Sequence, residues 1–514
     1  MTQGRKIERQ HGCFLLASVF VVAAAGLGYE LLAGTLSSYL LGNSVFHFSL
    51  VIGLFLTAMG VGSFTSRFME KNLLRTFVGL EILIGVVGGL AALVLFFAFA
   101  MVGSYTPILV GVCLVIGALV GLEIPLVVRI VREHTDLKTA LGNVLSVDYL
   151  GALFVSLIFP LVLVPNLGLV RTGALFGALN ILVAMLGLYV FRRELGRGSG
   201  LQIASGAALV GLLVVFVTAG QTTSILEDAI YDDDVVFAKS TPYQRIVVTR
   251  WHNDIRLYLD GNIQFSSIDE FRYHEALVHP AMSLAKRPKR VLVLGGGDGL
   301  AIHEIFKHPS VEKVDLVDLD PAITKIFRES EMLISLNENS LNDERVTVWN
   351  KDALEFLEGS DAVWDTIIVD LPDPNNETLA KLYSRSFYRL LSKHLSANGS
   401  FATQATSPFY SNLAFWCIFN TVSETELTGQ NRLSARGYWA SVPSFGDWGF
   451  IVASKKEFGV EEISLPKGTR YLTDELLSSL FVFPKDIEWK ETPINRLDAP
   501  ALVELYLEGY KTFH

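Results

Sequence analysis

Residues 291–320, VLVLGGGDGLAIHEIFKHPSVEKVDLVDLD, contain the pattern that decides the fold of the C-terminal half of the chain. An apolar run enters a cluster of glycines, a helix-like segment follows, and a second apolar run ends in Asp318 and Asp320. This order is typical of one βαβ unit of a doubly wound sheet, so we predict an α/β Rossmann-like domain here. Before it, alternating apolar runs at 245–250 and 255–259 predict a β-hairpin.

The glycine turn indicates what this domain binds. Glycines between a strand and a helix let the backbone approach a ligand closely, and an acid about 20 residues later suits ribose hydroxyls. Asp298 inside the turn would repel the pyrophosphate of NAD or FAD, whereas a phosphate-free nucleoside with a positive charge fits, as in the S-adenosyl sulfonium compounds. The alternative is a structural turn in which Asp298 caps the helix. The glycines are Gly295, Gly296, Gly297 and Gly299.

Charge and cysteine content argue against several classes of function. The chain has 514 residues and a formal net charge of −10, which argues against nucleic acid as a partner. Its 3 cysteines form no CxxC pair and do not cluster with histidines. Neither a disulfide framework nor a metal site is therefore predicted.

Residues 1–222 differ in composition from the remainder and predict an integral membrane domain. They are rich in Leu, Val, Gly, Ala and Phe, and they contain about seven apolar segments long enough to cross a hydrocarbon core. Such a crossing needs about 20 helical residues. A cleaved signal peptide would account for the first segment alone. The predicted transmembrane helices are 13–35, 46–65, 77–100, 105–128, 147–165, 172–191 and 202–220.

Basic residues predict how these spans lie in the cell membrane. They concentrate after the second, fourth and sixth spans, around Arg67, Arg129 and Arg192. By the positive-inside rule these loops and the N terminus are cytoplasmic. Seven spans would then place the C-terminal half outside the cell, whereas a nucleoside substrate is expected in the cytosol. The sequence leaves the side of the C-terminal half open.

Four carboxylates lie within or at the edge of the apolar spans, and Glu30 and Glu123 are expected to lie deepest. Charged groups at membrane depth are unfavourable, so each carboxylate is a candidate for handling an ion or an amine. The alternative is that several lie at the membrane interface or pair with Arg129 and its neighbours. The other two are Glu81 and Asp148.

Six blocks of the C-terminal half resemble a known family in the same order. They are YQRIVVTR, LYLDGNIQFSSIDEFRYHE, LVLGGGDGL, VDLVDLDP, DTIIVDLPDPNNETLAKLYSRSFY and SVPSFGDWGF. Together they resemble the spermidine/spermine synthase (polyamine aminopropyltransferase) family, and more narrowly its members with an N-terminal multi-span domain. The resemblance implies a small β-strand domain over 230–285, a Rossmann-like catalytic domain over 286–460 and a C-terminal helical tail over 461–514.

The resemblance also implies a reaction, in which decarboxylated S-adenosylmethionine gives its aminopropyl group to a diamine, typically putrescine, to form spermidine and methylthioadenosine. The donor is a co-substrate, so no cofactor is expected, and such enzymes are often homo-oligomers. The attacking amine must be neutral although alkylamines have pKa values near that of lysine, about 10.4, so the site must remove a proton. Asp370 and Asp373, in DLPD after a predicted strand, lie where α/β sheets place ligands.

By motif position, the resemblance implies roles for individual residues. Asp373 would deprotonate the amine, Asp370 would help to hold it, and Asp298 would contact the ammonium group of the donor. Each has a structural alternative, such as capping for Asp370 and Asp373, a hydrogen bond for His274 or a core position for Tyr273. The other implied contacts are Gln244 near the nucleoside, Gln264, Tyr273 and His274 at the donor and amine sites, Asp318 at the ribose, Asp352 and Ala353 beside the adenine, and Tyr383 on the loop over the amine site.

One segment departs from the family pattern. Soluble spermidine synthases carry a PTYPSG-like segment whose tyrosine contacts the amine, whereas residues 443–447 here are PSFGD. The acceptor pocket is therefore predicted to differ, with Asp447 or Trp448 taking part, and the acceptor amine stays open. Two other functions are compatible with parts of the chain. One is an S-adenosylmethionine-dependent methyltransferase, and the other is a polyamine transporter or sensor whose soluble domain binds ligand without turnover.

Overall fold

The structure, a computed structural model, describes residues 2–41, 44–102, 105–132, 136–195, 199–228, 231, 233–427 and 432–511. The chain divides into two compact units, Met1–Val235 and Val236–His514. The predicted domain boundary at residue 230 lies outside the described residues.

The first unit consists of helices up to residue 228. Buried Leu, Ala, Val and Phe side chains form its core, because nearly every turn of each helix is apolar. Pairs of helices pack closely, and a Cβ added at Gly121 on α4 would lie 2.2 Å from the carbonyl oxygen of Met59 on α2. The helices are α1 (Thr2–Leu41), α2 (Ser44–Thr65), α3 (Leu73–Phe97), α4 (Tyr105–Arg132), α5 (Leu137–Ile158), α6 (Val164–Val190), α7 (Arg192–Leu195) and α8 (Ser199–Asp228).

Within the described residues, six helical stretches are long and apolar enough to cross a membrane. The predicted spans 147–165 and 172–191 both lie in one of them, the 54-residue stretch Leu137–Val190. Gly168 in this stretch is not helical, with φ 75° and ψ 173°, and it separates two helical arms. The stretches are Phe14–Leu40, Phe46–Phe68, Leu73–Ala100, Tyr105–Arg132, Leu137–Val190 and Gly200–Thr223.

Acidic residues of the first unit differ in burial. Glu81 is fully buried and Glu123 nearly so, as their 0% and 5% exposure shows, whereas Glu30 is only partly buried. This burial is within the helical unit, so the expectation that Glu30 and Glu123 lie deepest in the membrane stays a prediction. Successive helical residues point about 100° apart, so α1 turns Tyr29 rather than Glu30 into the bundle.

The second unit begins with a four-stranded sheet in the order β1-β2-β3-β4. Strands β2 and β3 pair antiparallel, with Val248 opposite Leu257, which confirms the predicted hairpin. Val248 and Leu257 are buried, and residues 246–249 of β2 are all buried, so this strand is covered on both faces. The strands are β1 (Asp234–Ser240), β2 (Arg245–Trp251), β3 (Asp254–Leu259) and β4 (Asn262–Ser266).

A seven-stranded sheet follows, in the order β10-β11-β9-β8-β5-β6-β7, and confirms the predicted α/β Rossmann-like fold. Strands β5 to β9 are parallel, and β11 and β10 extend one edge antiparallel. The chain runs outward from β5 in one direction and returns to β8 on its other side, so the switch point for ligands lies between β5 and β8. The strands are β5 (Arg290–Gly295), β6 (Lys313–Asp318), β7 (Val346–Asn350), β8 (Trp364–Asp370), β9 (Leu395–Gln404), β10 (Ser434–Val442) and β11 (Gly446–Ser454).

Helices cover both faces of this sheet, which is why strands such as β5 are apolar at successive positions. The helix α9 lies against strands β8 to β11, although its residues fall in the segment predicted as the small β domain. Residues 461–511, as described, contain two α-helices, α17 and α18, and most of the chain between them is irregular. The helices are α9 (Glu270–Leu284), α10 (Leu300–Ile305), α11 (Pro321–Glu329), α12 (Glu331–Ile334), α13 (Ala353–Glu358), α14 (Glu377–Ala380), α15 (Arg385–Lys393), α16 (Asn412–Ser423), α17 (Asp474–Leu480) and α18 (Leu502–Lys511).

Candidate active site

The glycine turn after β5 and the DLPD segment after β8 meet at the switch point of the sheet. Gly295 and Asp370 are paired residues at the ends of these neighbouring strands. Gly295 has φ +79°, and a Cβ there would lie 2.0 Å from the carbonyl oxygen of Asp370. Only glycine fits this contact, which brings the two turns side by side.

Asp370 is held by two residues of α9. The hydroxyl of Tyr273 donates a hydrogen bond of 2.8 Å to Oδ1 of Asp370, and Nε2 of His274 lies 4.0 Å from Oδ2. Burial raises the pKa of Asp370, and His274 and Tyr273 oppose that rise by favouring the carboxylate. Tyr273 and His274 therefore orient the side chain of Asp370 and favour its carboxylate form.

His274 is a cation at neutral pH. Its Nδ1 lies 2.8 Å from Oε2 of Glu270, one helical turn earlier. Burial lowers the pKa of His274, but the hydrogen bond to Glu270 and the charges of Asp370 and Asp298 outweigh it and raise this pKa to about 9. The imidazolium offsets part of the negative charge of the cluster.

Asp298 lies in the glycine turn and is partly buried. Its Oδ1 accepts a hydrogen bond of 2.9 Å from the backbone N–H of Leu300, the first residue of α10, although the N-cap position itself is Gly299. Burial raises the pKa of Asp298 to about 7, with Asp370 adding to the rise and His274 opposing it. This carboxyl group is thus poised between its two protonation states near neutral pH.

Asp373 presents its two oxygens differently. Oδ2 accepts hydrogen bonds from the hydroxyl of Tyr506 at 3.0 Å and from that of Thr406 at 3.3 Å. Oδ1 is buried and has no hydrogen-bond partner among the described residues. The side-chain N–H groups of Gln404 donate to the hydroxyl of Tyr383 and to the carbonyl of Leu371. The Gln404 amide nevertheless lowers the pKa of Asp373. Burial is the larger effect and raises the pKa of Asp373 to about 6.

Asp318 ends β6 beside the glycine turn. Its Oδ2 accepts a hydrogen bond of 3.0 Å from the backbone N–H of Gly297, and its Oδ1 accepts one of 2.9 Å from Asp320. Burial raises the pKa of Asp318 to about 6. The side chain of Gln244 reaches the same strand end, where its Nε2 lies 3.2 Å from Oδ2 of Asp320.

The remaining predicted residues occupy the surroundings of this cluster. Asp352 caps α13, and its Oδ2 lies 3.1 Å from Nζ of Lys381. Burial raises the pKa of Asp352, but the hydrogen bonds from Lys381 and from the helix backbone outweigh it and lower this pKa. Ala353 is the buried first residue of α13. Gln264, in the four-stranded sheet, donates to the carbonyl of Asn262 at 3.1 Å. The hydroxyl of the fully buried Tyr383 donates to the carbonyl of Pro372 at 2.9 Å, behind the DLPD segment.

Thus Tyr273, His274, Asp298 and Asp370 form one interacting group, and Gln244 and Asp318 lie at the next strand end. The sequence had not indicated Gln404, Thr406 or Tyr506. Gln404 is the last residue of a parallel strand, a position that could have drawn attention to it. Tyr506 lies 133 residues after Asp373, and no local pattern connects the two. In the described part of the chain, no group of three or more potential metal ligands is placed to hold an ion.

Comparisons with known proteins show the family of this chain. Residues 270–463 match the family described as spermine/spermidine synthase domain. The polyamine aminopropyltransferase of Leptospira interrogans is 44% identical, covering 96% of this chain and 97% of the relative. Polyamine aminopropyltransferase 2 of Ralstonia nicotianae is 46% identical, covering 96% and 98%. The crystal structure of spermidine synthase from Thermotoga maritima shares 26% identity, covers 49% of this chain and 86% of that chain, and gives a TM-score of 0.45. This chain therefore belongs to the spermine/spermidine synthase family of polyamine aminopropyltransferases.

Proposed function

We propose that this enzyme transfers the aminopropyl group of decarboxylated S-adenosylmethionine to a diamine, with putrescine as the first candidate. The products would be spermidine and methylthioadenosine, and the donor is consumed as a co-substrate. One observation supports this most directly. Asp373 has one oxygen fixed by two hydroxyl groups and a second, buried oxygen with no partner among the described residues. That oxygen is suited to accept a proton from a bound amine.

The reaction needs a base next to the nitrogen of the attacking amine. The amine nitrogen attacks the methylene carbon next to the sulfonium, a C–N bond forms, the C–S bond breaks and its electron pair goes to sulfur. The proton lost by the nitrogen goes to Asp373. Because the pKa of Asp373 is about 6, the carboxylate form predominates at pH 7 and can act as the base.

Asp370 would bind the ammonium form of the amine before the proton is lost. Its position beside Tyr273 and the cationic His274 fixes the carboxylate and limits the repulsion between neighbouring acids. In this assignment Tyr273 and His274 line the site and orient Asp370. Phe445 contacts the Tyr273 ring edge-on at 5.8 Å, and it places the PSFGD segment next to the same site.

Asp298 would receive the ammonium group of the donor. Intact S-adenosylmethionine carries a carboxylate near that group, which an ionised Asp298 would repel. This favours aminopropyl transfer over the methyltransferase reading. Tighter binding of decarboxylated than of intact S-adenosylmethionine, measured by calorimetry, is the expected result, and the reverse order would contradict the assignment.

The nucleoside part of the donor would lie over the ends of β5, β6 and β7. Asp318 would bind the ribose hydroxyls, and Asp352 and Ala353 would lie beside the adenine. Gln244 and Gln264 would approach from the four-stranded sheet. We assign Tyr383 a positioning role, because its hydroxyl is already bonded to the backbone of the DLPD segment.

The test is a direct assay. The purified full-length protein is incubated with decarboxylated S-adenosylmethionine and a panel of diamines and polyamines, and methylthioadenosine and the amine product are identified by mass. Asp373→Asn should lower turnover at least about 100-fold, the typical contribution of a general base, with donor binding kept. Asp361→Asn, at an exposed position, is the matched control. Equal turnover in Asp373→Asn and wild type would refute the role of Asp373.

We further propose that residues 1–222 form an integral domain of the cell membrane, followed by the β domain, the catalytic domain and the tail at the predicted boundaries. The six apolar helical stretches support this, because each exceeds the roughly 20 residues that a crossing needs. Extraction with carbonate at high pH should leave the protein in the membrane pellet. Release into the supernatant would contradict membrane integration.

A polar cluster in the first unit favours a second function. Nδ2 of Asn180 donates to Oε2 of Glu81 at 3.2 Å, in a fully buried position. Oε1 of Glu81, Oδ1 of Asn180 and the hydroxyl of Tyr29 have no hydrogen-bond partner among the described residues. We propose that this cluster binds an amine cation inside the helical unit, since buried unpaired oxygens suit such a ligand.

Flux of labelled amine into vesicles containing the full-length protein tests the second function. Glu81→Gln should lower the flux, whereas Glu70→Gln, at an exposed position after α2, should leave it unchanged. Asp373→Asn should not affect the flux if the two functions are separate. Flux equal to that of empty vesicles, or unchanged by Glu81→Gln, would rule this function out.

A further inference from the structure

The C-terminal helix α18 brings a phenol to the proposed base. Tyr506 lies outside residues 270–463, which match the family, yet its hydroxyl is 3.0 Å from Oδ2 of Asp373. Tyr506 is partly buried, and both its burial and the adjacent carboxylate raise its pKa well above the ordinary value. The phenol is therefore protonated and must be the donor in this hydrogen bond.

The segment that precedes α18 is fastened to the catalytic domain by specific bonds. The side-chain N–H groups of Asn412 and Trp416 both donate to the carbonyl of Ile487 at 3.2 Å. Further along α16, Asn420 donates to the carbonyl of Lys490 at 3.2 Å. These bonds run along one helix, so they hold the tail in a defined path towards the site.

The helix α18 itself packs tightly. Leu502 and Val503 are buried at 0% and 6% exposure, and Leu502 belongs to the core around β8 and β9. A Cβ added at Gly509 would lie 2.7 Å from Cα of Ser411, so the helix backbone touches the start of α16. The position of Tyr506 is thus set by the fold and not by a mobile terminus.

Two further phenols accompany Tyr506. The ring of Tyr510 lies 4.8 Å from that of Tyr506 and stacks on Tyr410 at 5.9 Å. Tyr410 also borders the turn between β10 and β11, because a Cβ at Gly446 would lie 2.9 Å from its ring. Residues 443–447 in that turn, PSFGD, contain no phenol. The aromatic cluster therefore fills the side of the site next to this turn.

We propose that Tyr506 is a positioning residue of the reaction, and that α18 forms the wall of the acceptor subsite around Asp373. The tail contributes to catalysis by orienting Oδ2 of Asp373 and leaving Oδ1 to face the amine. The proposal rests on the proposed role of Asp373 as the base. Its ligand class is an alkylamine, whose methylene groups would lie against the Tyr506 and Tyr510 rings.

The pH dependence of turnover reports on this contact. The hydrogen bond from Tyr506 lowers the pKa of Asp373 and opposes the effect of burial. The titratable groups that face Asp373 are the phenols of Tyr273, Tyr383, Tyr506 and Tyr510, and burial raises the pKa of each. They stay protonated at neutral pH. Asp370, Asp298 and His274 titrate nearby, but they are common to wild type and variant, so a difference between the two isolates the phenol.

The experiment is a pH profile of kcat and kcat/KM for the amine in the full-length protein. Tyr506→Phe should move the acid limb to higher pH and lower kcat/KM at pH 7 roughly tenfold, as expected for loss of a hydrogen bond to a charged group. Tyr438→Phe is the matched control. It removes a buried phenol whose hydroxyl donates to the carbonyl of Ala276 at 2.8 Å and not to Asp373. Equal profiles for Tyr506→Phe and Tyr438→Phe would overturn the proposal.

A second variant keeps the shape of the side chain. Replacement of Tyr506 by a difluorotyrosine makes the phenol a stronger donor, so the acid limb should move to lower pH. An unmoved acid limb in this variant would also overturn the proposal.

Asp373→Asn distinguishes failure of the proposed base from failure of the proposed role of Tyr506. If Asp373→Asn retains full turnover, the assignment of Asp373 as the base is wrong. If Asp373→Asn is inactive but the acid limb does not move in either Tyr506 variant, only the assignment of Tyr506 is wrong.

Discussion

The hydroxyl of Tyr273 lies 2.8 Å from Oδ1 of Asp370, a residue 97 positions further along the chain. The first belongs to α9 and the second ends β8, so the bond joins a helix on the face of the sheet to the strand end that carries the DLPD segment. Because α9 lies directly on β8, the orientation of Asp370 depends on how this helix packs.

Tyr273→Phe should therefore raise KM for the amine more than it lowers kcat. The change removes one hydrogen bond to a charged group, which contributes about 1.5–3 kcal/mol, so kcat/KM should fall roughly 10- to 100-fold. Steady-state kinetics with saturating donor give the two constants separately. An unchanged KM would show that Tyr273 does not hold Asp370 for amine binding.

Turnover should fall as the pH is lowered through about 6. The pKa of Asp373 is raised by burial to about 6, from an ordinary value of 3.8, and the protonated acid cannot accept a proton from the amine. The acid limb of kcat, measured with both substrates saturating, should therefore lie near pH 6. Asp298→Asn, which removes a group with pKa about 7, should leave this limb in place. A limb near pH 4 would contradict the assignment to a buried base.

Gly295→Ala should inactivate the enzyme. The residue has φ +79°, and the added Cβ would lie 2.0 Å from the backbone oxygen of Asp370, so β5 and β8 would have to separate. We expect at least a tenfold loss of kcat/KM together with a lower Tm, because a positive φ alone costs about 1–2 kcal/mol for alanine. Gly359→Ala, at φ −88°, is the control and should retain activity. Full activity in Gly295→Ala would contradict the close approach.

Glu275→Gln should destabilise the catalytic domain. The side chain of Glu275 is fully buried and accepts hydrogen bonds from the backbone N–H groups of Arg470, Tyr471 and Leu472, two of them at 3.0 and 2.9 Å. An amide would point its NH₂ group at one or more of these N–H donors. The free energy of unfolding should therefore fall by about 2–4 kcal/mol. Chemical denaturation monitored by fluorescence measures it. Stability equal to wild type would show that this contact does not hold segment 470–472.

The central βαβ unit and the hairpin were predictable because their patterns are local. Strand β5, the glycine turn and Asp318 all fall within 30 consecutive residues. The antiparallel addition of β10 and β11 was not predictable from such patterns, since it depends on pairing β11 with β9 about 50 residues earlier. Likewise, the sequence of α9 did not show that this helix packs on the larger sheet.

The candidate site divides in the same way. Asp370, Asp373 and Asp298 lie in motifs at strand ends, where sequence and topology agree on a position. Tyr506 reaches Asp373 through a contact that joins distant parts of the chain, and a tyrosine in a short helix gives no sign of its partner. The burial that raises the pKa of Asp373 likewise depends on the whole surrounding fold.

The pairing of Gly295 with Asp370 has a consequence for substrate range. Adjacent strands are about 4.8 Å apart, and this spacing is a property of backbone hydrogen bonding that side chains cannot adjust. The proposed donor turn and acceptor turn lie on such neighbours, so the distance between the two turns is set by the backbone. If the proposed acceptor subsite is correct, amines of different length would be accommodated at its far end, next to α18 and the β10–β11 turn. The relative position of the two turns would stay the same.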